Sequence, residues 1–221
     1  MTLSFLAVLP GLLIWISILL LPWRPWSTRE SLDSRQTETD NISNVTVLIP
    51  ARNEAETIAD TLTALKQQGD GLHVVLVDDQ STDNTAGIAR SLNLPNLEII
   101  NGQALPDGWS GKLWALEQGR QQIDTDYLLL LDADIVLTPG LIPTLLKKAG
   151  AEQLDMLSLM ARLRMESAWE KLLMPAFIFF FKLLYPFYLA NRPQSRMAAA
   201  AGGCILLRKQ VLDELGGFNC I

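Results

Sequence analysis

Three stretches of this sequence run from strand-like apolar residues directly into charged clusters: "VTVLIPARNE", "HVVLVDD" and "DYLLLLDAD". Continuous apolar runs fit strands buried on both faces, and a carboxylate left there without a partner is costly. The strands must therefore end where something compensates the acids. Between these runs the spacing turns helical. Ala55, Ile58, Ala59, Leu62 and Leu65 share one face of a helix that Asn53 and Glu56 would open as an N-cap pair. Ser81 or Thr82 is placed to cap the next helix. "LEII" reads as a third, short strand, "GKLWALEQGRQQI" as a helix, and Pro139 as the first turn of a helix running through Ala149. Strand–helix alternation predicts the α/β class: a mainly parallel sheet flanked by helices, binding its ligand beyond the carboxyl ends of the strands.

Arg52, Asn53 and Glu54 follow the first strand, Asp78 and Asp79 end the second, and Asp132 and Asp134 end the fourth. A solvated turn explains each cluster singly, but three at equivalent strand ends of one sheet make a site. A formal net charge of −6 without a basic stripe argues against a nucleic-acid partner. Cys204 and Cys220 form no disulfide framework and suit a reducing compartment. His73, isolated at a strand start, is read as structural.

The apolar residues are concentrated in two blocks. Thr2 to Trp23 carries no charge, and roughly 20 helical residues span about 30 Å, the thickness of a bilayer's hydrocarbon core. Residues 2–23 are therefore expected to form a transmembrane anchor. A cleaved signal peptide is the rival, but no basic region precedes the run and no small-x-small site follows it. Arg24, Arg29 and Arg35 follow the segment, which places the remainder on the cytoplasmic side of an inner (cytoplasmic) membrane. Trp23 and Trp26 suit its interface, and the N-x-S/T matches at Asn41 and Asn44 are then chance. Residues 24–43 are polar and aperiodic, a linker. The second block, residues 170–193, has Lys182 in its middle and Pro175 and Pro186 within it. A single crossing there would put Asp134 and Gly203 on opposite sides of the bilayer, and the prolines argue against an unbroken span. The expectation is an interfacial membrane segment that brings a lipid acceptor to the site; a buried core helix is the alternative.

The dinucleotide fingerprint is absent after the first strand, and "GWSGKL" lacks the glycine spacing and the Ser/Thr of a P-loop. Asp132-Ala133-Asp134-Ile135-Val136 fits the short signature of haloacid-dehalogenase-type phosphohydrolases, in which the first Asp is the nucleophile. That signature normally opens its domain, whereas here three strands precede it. Taken together, "VLIPARNEAETI", "VVLVDDQSTDNT", "GWSGKLWALEQG", "LLLLDAD" and "AAAGGCILLRKQVLDELGGF" resemble, in order, the family-2, GT-A-fold glycosyltransferases, from Asn44 to Phe218. "GWSGKLWA" and "AAAGGC" are most similar to the hopene-associated branch.

The resemblance assigns residues 44–221 to a GT-A-like domain and implies an inverting transfer of sugar from a nucleotide-sugar donor, of UDP type, to a lipid acceptor. On the donor side it implies Pro50, Arg52, Glu54, Asp78, Asp79, Lys112, Asp132, Ala133 and Asp134. Asp78 or Asp79 would accept the base N3–H, and Asp132 and Asp134 would hold Mg2+ or Mn2+. Lys112 would reach the diphosphate, although a solvated helix-start lysine explains it as well. Gly202 and Gly203 would let the backbone approach the acceptor side, and a plain tight turn is their other reading. The family's general base follows the "GGF" helix, beyond Ile221, so the chain is expected to be C-terminally truncated. A non-catalytic nucleotide-sugar binder is accordingly the alternative function. Asp213 and Glu214 are poor substitutes for the base.

Overall fold

A computed structural model of the chain describes residues 2–27, 30–34, 41–163, 165–192 and 194–220, with residues 2–7 and 220 described by their backbone. Arg29, Arg35, part of the 24–43 segment, Pro193 and Ile221 lie outside the described residues. Two compact units divide the chain: Met1–Leu32 with Arg162–Ala199, and Asp33–Ala161 with Ala200–Ile221.

The first unit holds α1 (Thr2–Leu19). The second runs β1 (Val45–Ala51), α2 (Ile58–Leu65), β2 (His73–Asp78), α3 (Thr85–Ser91), β3 (Leu97–Asn101), α4 (Gly111–Arg120), β4 (Tyr127–Leu131), α5 (Leu141–Glu152) and β5 (Met156–Leu159). The chain then passes through α6 (Ala168–Leu184) and α7 (Phe187–Ala190) of the first unit. It returns as β6 (Cys204–Arg208), α8 (Lys209–Glu214) and a 3-10 turn over Gly217–Cys220.

Among the described residues six strands form one sheet in the order β3-β2-β1-β4-β6-β5. β3, β2, β1 and β4 are parallel, while β6 runs antiparallel between β4 and β5. The expected mainly parallel sheet is thus present, with an antiparallel edge whose two strands the apolar pattern had not delimited. β1 and β4 are buried along nearly their whole length, as strands covered on both faces must be. On one face Leu48, Val75, Val77, Leu128 and Leu130 form a core with Ala115 and Leu116 of α4, Leu212 of α8 and Phe218. α4 lies close because it presents Gly119 to the sheet: a Cβ there would stand 2.2 Å from Leu48 Cδ1. Ordered packing reaches back to Ile42, which is buried and donates its N–H to the Asp70 carbonyl.

Helix starts differ from the sequence reading in instructive ways. Asn53 is left-handed at φ 58° and so cannot take the extended conformation of an N-cap; α2 opens at Thr57 instead. Ser81 and Thr82 are bonded to Asn53, leaving Asn84 at the N-cap of α3. α5 begins after Gly140, whose φ of 73° turns the chain into the helix, so Pro139 precedes it. Pro143 occupies the first turn, where its missing N–H has no intrahelical partner to lose. The helix continues past Ala149 to Glu152, where Gln153 ends it at φ 52°.

α6 is opened by a capping box: Ser167 Oγ accepts from Glu170 N, and a Glu170 carboxylate oxygen accepts from Ser167 N. It runs through Pro175, which removes one backbone donor from the interior of this 17-residue helix without ending it. Pro186 does interrupt it and starts α7.

Candidate functional site

The parallel pairing registers Ala51 with Asp78 and Leu48 with Leu130, so the carboxyl ends of β1, β2 and β4 lie side by side. β6 is antiparallel, with Leu131 opposite Cys204, and therefore delivers Gly202 and Gly203 to the same rim. The three acidic clusters expected on one edge of the sheet are there. They border a cleft of about 400 Å3 lined by every donor-side residue inferred from the sequence except Asp78.

Two loops at this rim are clamped together. Asp79 N donates to the Ala51 carbonyl at 2.8 Å, Asn53 N to Ser81 Oγ at 3.0 Å, and Glu54 N to Thr85 Oγ1 at 2.8 Å. Asn53 Oδ1 accepts from Thr82 N at 2.8 Å, and Asp83 accepts from Ala55 N and Thr85 N. The Thr85 hydroxyl on Asp83, with these backbone donors, holds that carboxyl below its ordinary range. Thr57 Oγ1 donates to Glu54 Oε2 at 2.8 Å, fixing the glutamate at the cleft wall.

The clamp separates the two adjacent aspartates. Asp78 Oδ1 accepts from Ser81 N at 3.1 Å and braces the turn. Asp79 faces the cleft, 8% exposed, with Arg52 Nη1 3.5 Å from its Oδ2. Gly111 opens α4 beside it, and a Cβ there would meet Asp79 Oδ2 at 3.3 Å. Ser110 caps α4 by accepting from Leu113 N at 3.4 Å. Lys112 then projects across to Asp132, Nζ to Oδ1 at 2.5 Å, with the Gly202 carbonyl 3.5 Å away.

Alternation along the chain turns Ala133 inward, 3% exposed, and Asp134 outward. The Ala133 carbonyl accepts from Thr61 Oγ1 at 2.8 Å, which pins the short D-A-D turn to α2. Asp132 N donates to the Gly203 carbonyl at 2.9 Å, and a Cβ on Gly203 would come within 2.6 Å of Ile135 Cδ1. Gly203 is therefore a close-approach glycine supporting Asp132. Neither Gly202 nor Gly203 is among the residues lining the cleft.

Cys204, next along, is buried, and that burial together with the nearby Asp132 charge pushes its thiol up to about 11. It is no nucleophile at neutral pH. His73 is exposed at the start of β2, away from this rim.

The sequence reading missed Ala51, Gly111 and Ala115 of the cleft wall and the supporting hydroxyls of Thr61 and Thr85. The "SGK" before an apolar helix was a usable signal for Gly111. The two threonines carried none, since their partners are remote in sequence. Among the described residues no group of three or more His, Cys, Asp and Glu is poised to hold a metal ion. What the cleft offers a cation is two carboxylates, Asp132 and Asp134. They suit one, because Glu54, Asp79, Asp132 and Asp134 outnumber Arg52 and Lys112, and such a cleft repels an anionic ligand unless positive charge is added.

Residues 46–216 match glycosyl transferase family 2, and the chain belongs to that family. Among curated relatives, a 4,4'-diaponeurosporenoate glycosyltransferase of Staphylococcus haemolyticus is 33% identical over 110 residues, 48% of this chain and 28% of that protein. One from Staphylococcus aureus (strain bovine RF122 / ET3-1) is 34% identical over 115 residues, 52% of this chain and again 28% of the relative. The matched stretch is thus under a third of these relatives' length.

Among solved structures, a mannosyltransferase from Pyrobaculum calidifontis in complex with GDP-Man and Mn2+ superposes with a TM-score of 0.60 at 22% identity, over 88% of this chain and 53% of the other. Glucosyl-3-phosphoglycerate synthase from Mycobacterium tuberculosis in complex with UDP gives 0.52 at 21% identity, over 76% and 57%. These likenesses establish the fold. Family membership displaces the phosphohydrolase reading of Asp132-Ala133-Asp134.

Proposed function

We propose that the chain carries the donor site of an inverting glycosyltransferase that is held at the membrane and transfers sugar from a nucleoside-diphosphate donor to a lipid acceptor. The observation that carries this reading is the cleft at the carboxyl ends of β1, β2 and β4, where Asp79, Asp132 and Asp134 converge with Lys112. Asp79, rather than Asp78, faces the cleft and is the acid we assign to the base N3–H. Arg52 holds its carboxylate in place. Asp132 and Asp134 would hold Mg2+ or Mn2+, which in such sites neutralises charge building on a departing diphosphate. Lys112 reaches the same region as a point charge. Gly202 and Gly203 border the acceptor side.

The curated relatives are named for 4,4'-diaponeurosporenoate, which supports an acceptor of lipid class for this chain. The "GWSGKLWA" and "AAAGGC" runs favour the hopene-associated branch. Residues 2–23 are assigned as anchor, residues 24–43 as linker and residues 44–221 as the glycosyltransferase domain, on the cytoplasmic side of the inner membrane. Residues 170–193 are assigned as interfacial. Asp213 is held by Arg120 and Lys209, and Glu214 by Gln210, so neither is assigned as the acceptor's base. A nucleotide-sugar binder without turnover is the second reading.

Calorimetric titration of UDP into the detergent-solubilised chain, with and without Mn2+, tests the donor site. The expected result is Mn2+-dependent binding that Asp134→Ala abolishes. A folded chain that binds neither UDP nor GDP under any of these conditions overturns the proposal.

A further inference from the structure

Lys112 stands where an added cation would be expected to sit. Its ammonium is 2.5 Å from Asp132 Oδ1, and the two side chains are 48% and 33% exposed. It is the second residue of a 10-residue helix, whose positive end disfavours a cation and favours an anion, so this placement depends on Asp132. Asp134 has neither a hydrogen-bond nor an ion-pair partner among the described residues. While Lys112 is paired with Asp132, a hard divalent ion meets a positive charge already held by one of its two expected carboxylates.

We infer that Lys112 is a resident counter-cation of Asp132 that must be released before this site can hold a divalent ion, so that metal and nucleoside diphosphate bind as a coupled pair. This rests on the donor-site reading above and adds an order to it. A diphosphate arriving at the head of α4 gives the ammonium a new anionic partner, frees Asp132 Oδ1, and contributes phosphate oxygens of its own. Lys112 thereby suppresses metal binding to the free protein and makes it conditional on nucleotide. Linkage requires the same factor in both directions: the nucleotide tightens the cation as much as the cation tightens the nucleotide.

The test is Mn2+ affinity of the full detergent-solubilised chain, read from the electron paramagnetic resonance signal of free Mn2+, with and without UDP. In the natural sequence UDP should tighten Mn2+ by about tenfold or more. In Lys112→Met, Mn2+ alone should bind about tenfold tighter than to the natural chain, and the UDP enhancement should shrink correspondingly. Lys112→Arg keeps a cation on Asp132 and should behave as the natural chain does. Lys148→Met removes a positive charge from α5, outside the cleft, and should leave Mn2+ affinity nearly unchanged.

Equal Mn2+ affinity in Lys112→Met and the natural chain, with UDP binding intact, overturns the inference while sparing the donor site. So does an equal gain from Lys148→Met, which would reveal a diffuse field in place of a specific pair. Absence of UDP binding from every folded sample overturns the donor site itself.

Discussion

Asn53 sits at φ 58° and accepts from both the backbone N–H and the hydroxyl of Thr82, at 2.8 and 3.2 Å. It is one of the few residue types that tolerate the left-handed region, and its side chain ties the exit of β1 to the exit of β2. Asn53→Ala loses both bonds and adds left-handed strain, together about 2–3 kcal/mol. Asn53→Gly loses the bonds without the strain and should cost about 1 kcal/mol. Urea unfolding followed by the near-ultraviolet signal of Trp109 and Trp114, whose rings meet edge-on at 5.2 Å, would order the variants as natural, Gly, Ala. The reverse order for Gly and Ala would show that left-handed strain at this position counts for less than the extra freedom glycine gives the unfolded chain. The acids of the cleft were legible because an apolar strand ending in a carboxylate announces its own conflict. Asn53 was misread because its conformation is decided by Thr82, 29 residues away, and sequence spacing alone suggests a local helix cap.

At the scale of elements, α4 carries the site at one end and an ion-paired dock at the other. Glu117, 2% exposed, accepts from Arg120 Nε at 2.9 Å, from Arg120 Nη2 at 2.5 Å and from Phe218 N at 3.1 Å. Arg120 also pairs with Asp213 of α8, which Lys209 holds at 2.6 Å. Burial pushes the Glu117 carboxyl up, but the Arg120 and Phe218 donors outweigh it and hold the group below its ordinary value. Asp213 behaves alike: burial raises it, and Lys209 and Arg120 bring it below its ordinary value.

A carboxylate depressed in the folded state stabilises above its unfolded pKa, and that contribution is lost as pH falls through the folded one. Glu117→Gln should therefore cost about 2 kcal/mol at pH 7. The gap should narrow as pH drops below about 4, where the natural chain also loses the charge. Thermal midpoints of both proteins across that range would show it, and parallel curves would refute it. α4 and β4 were readable from spacing alone. β5, β6 and the dock were not: β5 has four residues, only partly buried, and β6 is defined by antiparallel partners at both sides. Glu117 and Arg120 stand at i, i+3 on α4, and the contact that buries them comes from Phe218, 101 residues on from Glu117.

At the scale of the molecule, the sheet unit sends the chain out after Ala161 and takes it back at Ala200, with Ser158 Oγ and Ala201 N 2.7 Å apart at the junction. A stretch whose two ends return to one sheet does not cross a bilayer once. Yet Ala168–Ala190 is the one segment among the described residues long and apolar enough to do so, with a mean hydropathy of 1.7. Trp169, Leu172, Leu173, Phe177, Phe180 and Leu184 recur at helical spacing and are all exposed. Phe179, by contrast, stacks on Trp15 at 6.2 Å, and Lys182 donates to the Ser27 carbonyl. An apolar face of that size left to water marks a membrane or partner surface, and the interfacial assignment of residues 170–193 takes it to be a membrane. A chain lacking residues 1–26 should therefore still float with phospholipid vesicles. Phe177→Asp with Phe180→Asp should lower that partition by at least about tenfold, since each buried ring is worth roughly 1.5–3 kcal/mol. Unchanged flotation in the double variant would move the contact to another face of the unit, and no flotation without the substitutions, with the helix intact by circular dichroism, would leave residues 1–26 as the sole membrane attachment.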